Sequence, residues 1–260
     1  MNRIISIISI SISIISIFFL PLLRIDLTTY LLLSTVLIGL SILIYFTNKA
    51  LFPTILFFAL TFLTRPLNYN FTQLLHLEFS GTYFLIPIVV FTIIIITIPS
   101  LKQHISWWRR DTIDKNAWLI IVGLSVVSGW ALFIWGQYIA EDLSKFTDTL
   151  PDVTVIWILL NGVGFALLNS IAEEYLSRGM LCNGLEKLIS NKYLIIIVQA
   201  LVFSFFHYNG FPGGPVGMIM VFVWSLALGI VRYRTKGLMG VFIGHFFADL
   251  TIYFTLYGLK

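Results

Sequence analysis

The sequence has little charge and a single cysteine. Asp, Glu, Lys and Arg make up 11% of its 260 residues, whereas soluble domains contain about 25%. Cys182 is the one cysteine, so an intramolecular disulfide and a metal site with several thiolate ligands are excluded. No specific nucleotide-binding glycine pattern is present, and the net charge of +4 is explained by membrane topology before nucleic-acid binding. A soluble domain and a disulfide-rich domain are therefore excluded, and we expect no nucleic-acid partner.

Apolar residues, in contrast, make up 58% of the chain, and its mean hydropathy is +0.96. Apolar runs long enough to cross a bilayer recur from one end to the other. They predict an all-α, polytopic integral membrane bundle of about eight or nine transmembrane helices. No convincing cleavage site follows the first run, so we expect it to be retained as a helix. The predicted spans are residues 4–22, 29–47, 49–63, 84–99, 118–139, 155–175, 193–207, 216–231 and 238–257.

Lys and Arg are distributed unevenly among the predicted loops. The richest loop, 100–117, is placed in the cytoplasm because cytoplasmic loops carry an excess of these residues. Alternation of the spans then puts the N-terminus inside, and the acidic loop 141–152 and the C-terminus outside. The cytoplasmic set is Arg3, Lys49, Lys102, Arg109, Arg110, Lys115, Arg178, Lys187, Lys192, Arg232, Arg234 and Lys236. The outer set is Arg24, Arg65, Lys145 and Lys260.

The N-terminal part, residues 1–117, has almost no ionisable group within its predicted spans. Serines spaced by three and four in the first span favour close packing along one helical face or, equally, a low-complexity Ile/Ser anchor. Trp107 and Trp108, which precede two arginines, indicate an element lying at the headgroups. We therefore predict helices without evident chemistry at 1–117 and a catalytic part at 118–260. The serines are Ser6, Ser9, Ser13 and Ser16.

Ionisable groups inside membrane spans cost about 2.5–3.5 kcal/mol each on insertion scales, so each requires a reason. Glu173 and Glu174 lie at the end of an apolar stretch that we expect to continue as a helix. Glu174 and Arg178 are four residues apart, with the acid first, which favours a helical ion pair. Glu173 is turned by about 100° from Glu174, so it is left for general-base chemistry on a water molecule. A purely structural ion pair is the alternative.

Two histidines accompany these acids. His207 follows Phe203 by four residues at the end of another apolar helix, and alone it would be read as a satisfied helix-end residue. His245 and Asp249 are also four apart, so they lie on one face of the last span, where the Asp can orient the imidazole or both can face an ion. Because each group is costly alone in lipid, we expect them to converge. Such a cavity suits either a metal-bound water or a water activated directly by Glu173, with oxyanion stabilisation by the remaining groups.

The three motifs resemble those of the CPBP family, which includes type II CAAX prenyl proteases, bacteriocin-processing proteins and abortive-infection (Abi) proteins. The family motifs EExxxR, FxxxH and HxxxN/D occur here in the same order on successive helices, and segment 229–238 resembles the arginine-containing segment before the last motif. The resemblance covers roughly residues 118–257. It implies the catalytic set Glu173, Glu174, His207 and His245, supported by Arg178, Asp249 and Phe203.

The resemblance implies an intramembrane endopeptidase of the bacterial plasma membrane that cuts a membrane-associated peptide or protein. Glu173 would activate the water, and His207 and His245 would line the cavity. The site is either metal-independent or holds Zn2+ through these three residues. The alternative is a non-catalytic immunity or regulatory protein that binds a partner membrane protein. A transporter with a proton relay is disfavoured, because the charged residues fall in one half of the chain and no internal repeat is seen.

Overall fold

The protein is built from α-helices, and the structure, a computed structural model, describes residues 2–19, 26–67, 84–140, 142–148, 150 and 152–259. None of these residues lies in a β-strand. The first helices are α1 Asn2–Ile14, α2 Leu27–Thr47, α3 Phe52–Leu63, α4 Leu85–Thr97, α5 Pro99–Lys102, α6 Lys115–Tyr138 and α7 Ser144–Thr147. They are followed by α8 Val155–Glu174, α9 Cys182–Leu185, α10 Lys192–Phe206, α11 Gly214–Thr235 and α12 Met239–Leu259. Two π-helical segments, Ile15–Phe19 and Tyr175–Leu181, follow α1 and α8.

Within the described ranges, five helices are long and apolar enough to cross a membrane. Crossing requires about 20 residues, and four shorter apolar helices accompany the long ones. The prediction of a polytopic helical membrane protein is confirmed. The five are Thr28–Thr47, Lys115–Tyr138, Val155–Leu185, Gly214–Thr235 and Met239–Leu259; the four are Arg3–Phe19, Phe52–Leu63, Leu85–Thr97 and Lys192–Phe206. Of the residues used to predict topology, Arg24, Glu141 and Lys260 lie outside the described residues.

Side-chain caps define where several helices begin. Asp26 accepts a hydrogen bond from the backbone N–H of Thr29 at 2.7 Å, and Asp114 accepts one from that of Ala117 at 2.6 Å. Asn191 caps α10 in the same way, and each cap satisfies a backbone donor that the first helical turn leaves unpaired. A hydrogen bond from Arg234 also lowers the pKa of Asp114. The loops before α6 and α10 therefore fix where these two helices start.

The serine stripe of the first helix faces the interior of the bundle. Ser6, Ser9, Ser13 and Ser16 are all buried, and Asn48 donates a hydrogen bond to the Ser6 hydroxyl at 3.0 Å. Small polar residues allow close helix approach in lipid, so the structure favours the packing interpretation of this pattern. The N-terminal helices thus pack into the same apolar core as the helices that carry the three motifs.

The predicted headgroup element at Trp107–Trp108 is wrong for Trp107. Its ring is buried and packs edge-on against Tyr175, with 4.9 Å between ring centres. Gly179 gives it room, since a Cβ there would lie 3.2 Å from the indole. A buried aromatic ring removes a large apolar area from its surroundings and contributes strongly to packing. The loop 100–117 therefore folds onto the π-helix that follows the two glutamates.

Helix α12 packs along both α6 and α8, and α10 packs along α11. The approach of α8 to α12 depends on Gly162, because a Cβ at that position would come within 2.8 Å of the Tyr253 ring. This packing brings the segments that carry the three motifs together in the middle of the bundle. The convergence expected from the cost of isolated charges in lipid is observed.

Candidate active site

The pair Glu174 and Arg178 forms the innermost part of the site. Their side chains are completely buried, and the Arg178 guanidinium donates to the Glu174 carboxylate at 2.7 Å. Arg178 lies in the π-helix Tyr175–Leu181, a form of backbone that occurs frequently at functional sites. The predicted ion pair therefore forms, at a distance typical of a charge-assisted hydrogen bond.

Arg178 has further partners that compensate for its burial. Its second terminal nitrogen donates to the Ser225 hydroxyl at 2.7 Å. The guanidinium carbon lies 4.4 Å from the centre of the Phe203 ring and 5.5 Å from that of Trp224, and both distances suit cation–π attraction. Phe203, predicted as a supporting residue, thus contacts the arginine of the first motif.

His245 is held by the same glutamate. Its Nδ1 lies 2.7 Å from the Glu174 oxygen that also accepts from Arg178. Because a carboxylate accepts, the hydrogen of this bond is on Nδ1. Nε2 therefore points away from Glu174, and it lies 3.7 Å from a Glu173 oxygen and 3.5 Å from an Asp249 oxygen.

His207 is oriented by the backbone of its own helix. Its Nδ1 lies 2.9 Å from the carbonyl oxygen of Phe203, and a carbonyl can only accept, so Nδ1 again carries the hydrogen. The imidazole packs against the Phe203 ring at 4.4 Å between centres. Its Nε2 lies 3.5 Å from the Glu173 Oε2.

Glu173 Oε2 is thus flanked by the Nε2 atoms of two imidazoles, at 3.5 and 3.7 Å. Both distances exceed the 2.7–3.2 Å typical of a direct N–H···O hydrogen bond, and they leave room for small adjustments around a reacting group. Both rings are anchored through Nδ1, so both offer the same nitrogen to this carboxylate. The arrangement can hold a proton at Glu173 Oε2 and transfer it between this oxygen and a neighbouring group.

A cavity of about 1480 Å³ adjoins this point. Among the described residues, Glu174 and Arg178 do not line it. The rest of the wall is largely aromatic and aliphatic. The predicted site residues that do line it are Glu173, His207, His245 and Asp249.

A sequence model of the family described as "Type II CAAX prenyl endopeptidase Rce1-like" matches residues 155–251, which hold all three motifs. This part of the chain is therefore similar to the CAAX proteases that the model describes. This family is one of membrane proteases, so a peptide or protein substrate in a membrane context is implied. No curated protein and no solved structure matches the chain.

Asn169, which the sequence analysis did not single out, belongs to this candidate site. Its amide nitrogen donates to the Asp249 carboxylate at 3.2 Å, and its side chain lines the cavity. Asn169 lies one helical turn before Glu173, so the two share a face of α8. The spacing of four residues from Glu173 was the available signal.

A second group of polar residues supports the site from behind, and sequence reasoning did not predict it as a group. Arg232 donates through Nε to the backbone carbonyl of Arg178 at 2.7 Å and forms an ion pair with Glu186 at 2.7 Å. It also donates to the Ser106 hydroxyl at 3.1 Å. Asn183 accepts from the Ser106 backbone N–H at 2.9 Å, which connects the loop 100–117 to α9, the short helix after the π-helix.

Glu173, His207 and His245 are the residues predicted as possible metal ligands. Among the residues that the structure describes, no group of three or more His, Cys, Asp or Glu side chains has the arrangement of a metal site. Both histidines nevertheless offer Nε2 beside a carboxylate oxygen, and imidazole with carboxylate is a donor set that Zn2+ accepts. The donor chemistry fits zinc, although the side chains are not arranged around an ion.

Proposed function

We propose that the protein is an intramembrane endopeptidase in which Glu173 activates the attacking water. One observation carries this proposal: Glu173 is the carboxylate that meets the cavity between two imidazole Nε2 atoms. Its neighbour Glu174 is held at 2.7 Å by both Arg178 and His245. Two adjacent residues of the same type therefore have different surroundings, and the one beside the cavity suits a general base.

The chemistry follows from the positions of the nitrogen and oxygen atoms. Glu173 takes a proton from water while the water oxygen bonds to the substrate carbonyl carbon. An imidazole that is protonated on both nitrogens donates through Nε2 to the oxyanion, since its Nδ1 hydrogen is already held by Phe203 or Glu174. The proton on Glu173 then passes to the leaving amine as the C–N bond breaks.

Zinc is the alternative means of activating the water. Glu173, His207 and His245 would hold it, and the ion would supply a Lewis acid for the carbonyl and a more acidic water. In that case the Nδ1 bonds of the two histidines to Phe203 and Glu174 would set the direction of the ligating nitrogens.

We further propose that the chain lies in a bacterial plasma membrane with its N-terminus in the cytoplasm. The excess of Lys and Arg in the loop 100–117 and at residues 187–192 and 232–236 supports this orientation. These segments contact one another: Arg109 donates to the Lys236 carbonyl at 2.7 Å, and Arg232 pairs with Glu186. One end of the bundle therefore collects most of the positive charge.

The test is cleavage of a membrane-peptide library by purified wild-type protein, Glu173→Gln and Glu174→Gln, each with and without a strong chelator. We expect Glu173→Gln to lose cleavage by about 10²- to 10⁴-fold, the usual contribution of a general base, at an unchanged unfolding temperature. Glu174→Gln is the matched control, because it is isosteric and adjacent but lies off the cavity. It should lower the unfolding temperature.

Sensitivity of the wild type to the chelator would favour zinc, and insensitivity would favour the bare carboxylate. Unchanged cleavage by Glu173→Gln would refute Glu173 as the base. If a well-folded wild type cleaves no peptide, and a cellular phenotype survives Glu173→Gln, the partner-binding alternative replaces the protease.

A further inference from the structure

The cavity next to the site extends toward one end of the bundle only. Its wall on α8 runs from Leu160 to Glu173, and on the antiparallel α12 from His245 to Leu256. The segment around Phe146, together with Leu150, and the segment 209–212 complete the wall at that end. These two segments contact each other, with 5.8 Å between the rings of Phe146 and Phe211. The cavity therefore joins the catalytic groups to the loops that follow α6 and α10.

The opposite end of the bundle is closed beneath the site. Within the described ranges, no residue of 85–123, 174–205 or 228–244 lines the cavity. Here Arg232 bridges Arg178, Glu186 and Ser106, and Trp107 covers Tyr175. This closed end, which we call the basic face, is formed by residues 102–115, 186–192 and 232–240. It carries most of the Lys and Arg of the chain.

We propose that the cavity opens on the extracytoplasmic side of the membrane and receives an apolar peptide segment from that side. The side follows from the position of the basic face, because Lys and Arg are retained in the cytoplasm. The cleavage step itself rests on the proposed function above. A substrate that approaches from the cytoplasm, including a protein with a lipid on its C-terminal cysteine, would meet the closed end of the bundle.

The wall of the cavity indicates the class of substrate. Phe165, Phe211, Trp224 and Leu132 are among its apolar residues, whereas Glu173 and the histidines lie at its inner end. A volume of about 1480 Å³ exceeds the roughly 300–1,000 Å³ of pockets for small ligands. An extended apolar segment of an exported or membrane-anchored peptide fits both the size and the polarity.

The side of the opening can be measured by thiol labelling without any substrate. Cys182 is buried, so the native chain should not react and serves as the blank. Asn209→Cys places a thiol on the cavity wall, and Lys236→Cys places one on the basic face; both positions are exposed. Each variant is treated with a charged, membrane-impermeant maleimide in intact spheroplasts and again after permeabilisation.

We expect Asn209→Cys to react in intact spheroplasts and Lys236→Cys to react only after permeabilisation. Two results would overturn the proposed side of the opening. One is labelling of Lys236→Cys, but not of Asn209→Cys, in intact spheroplasts; the other is equal labelling of both variants while cytoplasmic thiols stay unlabelled. The same labelling is expected in a Glu173→Gln background, since the reaction does not depend on cleavage. Failure of the orientation and failure of the protease assignment are therefore seen separately.

The substrate class has its own test. The same apolar segment is fused to the end of a single transmembrane helix that serves as an anchor. Two versions of the anchor are made with opposite membrane orientations, so that the segment lies outside the cell in one fusion protein and inside the cell in the other. We expect the wild type, but not Glu173→Gln, to cut the externally presented segment at least tenfold faster. Preferential cutting of the internal segment would overturn the proposal.

Discussion

The candidate active site has two sides that differ in how tightly their charges are held. On the side away from the cavity, Glu174, Arg178 and Arg232 make contacts of 2.7 Å, and the side chains of Glu174 and Arg178 are completely buried. On the cavity side, the contacts of Glu173 with His207 and His245 are 3.5 and 3.7 Å. The two sides meet between two consecutive glutamates.

The difference indicates that the two sides of the site have different roles. A buried charge that is paired at contact distance stabilises the fold only while both partners remain, because the unpaired partner is costly. Groups spaced slightly beyond contact distance at a cavity wall can admit a reacting group without breaking a bond. The tight side should therefore control stability, and the cavity side should control catalysis.

Arg178→Met should have the largest effect, because it leaves Glu174 buried without its main counter-charge. We expect unfolding to become easier by about 3–5 kcal/mol, the usual cost of removing one partner of a buried pair, and cleavage to disappear with the fold. The measurement is thermal or denaturant unfolding in detergent. The double variant Glu174→Gln/Arg178→Met should recover part of the stability; equal loss in both variants would contradict the paired-charge explanation.

His207→Gln and His245→Gln compare the two sides directly. His207 is 14% exposed at the cavity and its Nδ1 bonds only to a backbone carbonyl in its own helix, so its loss should reduce cleavage by about 10²- to 10⁴-fold with little change in unfolding temperature. His245 also bonds to Glu174, so its loss should lower both the cleavage rate and the unfolding temperature. A fall in stability for His207→Gln as large as that for His245→Gln would refute the comparison.

Much of the fold and several site contacts were predictable from the sequence. The apolar runs predicted all nine apolar helices found in the described ranges, with small shifts of their ends. The spacing of four residues predicted the contact between Glu174 and Arg178, and it placed His245 and Asp249 on one face. These predictions hold because helical periodicity relates neighbours on a single helix.

The contacts between helices were not predictable in this way. The bond from His245 to Glu174 joins α12 to α8, and the bond from Arg232 ends on a backbone carbonyl, which no residue type reveals. The sequence analysis offered Asp249 as a residue that could orient the imidazole or face an ion with it, whereas in the structure Glu174 is the partner of the histidine Nδ1. Trp107 was misplaced for the same reason, because its groove on Tyr175 and Gly179 exists only after the helices pack.

Arg232→Lys should have an intermediate effect, because lysine cannot reproduce the planar fork that reaches Arg178, Glu186 and Ser106 together. Loss of charged hydrogen bonds of this kind costs about 1.5–3 kcal/mol each, so we expect a clear fall in unfolding temperature. Arg234→Lys is the matched control, since its pair with Asp114 is 38% and 58% exposed and should contribute about 0–1 kcal/mol. Equal effects of the two variants would refute the supporting role of Arg232.

Asp249→Asn should have the smallest effect, although it removes a buried charge next to His245. The variant keeps the shape of the side chain and can still accept the hydrogen bond from Asn169, and asparagine is common at this position in the family that the motifs resemble. We expect cleavage to change by less than about tenfold, or 1.4 kcal/mol, at an almost unchanged unfolding temperature.

This small effect is informative because Asp249, like Glu173, is a buried carboxylate on the cavity wall. It lies 3.5 Å from one imidazole nitrogen, whereas Glu173 lies near two. If Asp249→Asn abolished cleavage while Glu173→Gln did not, the general base would be Asp249 on α12 and not Glu173 on α8. If Asp249→Asn leaves cleavage nearly intact, flanking by two imidazoles is what distinguishes the catalytic carboxylate from its neighbours.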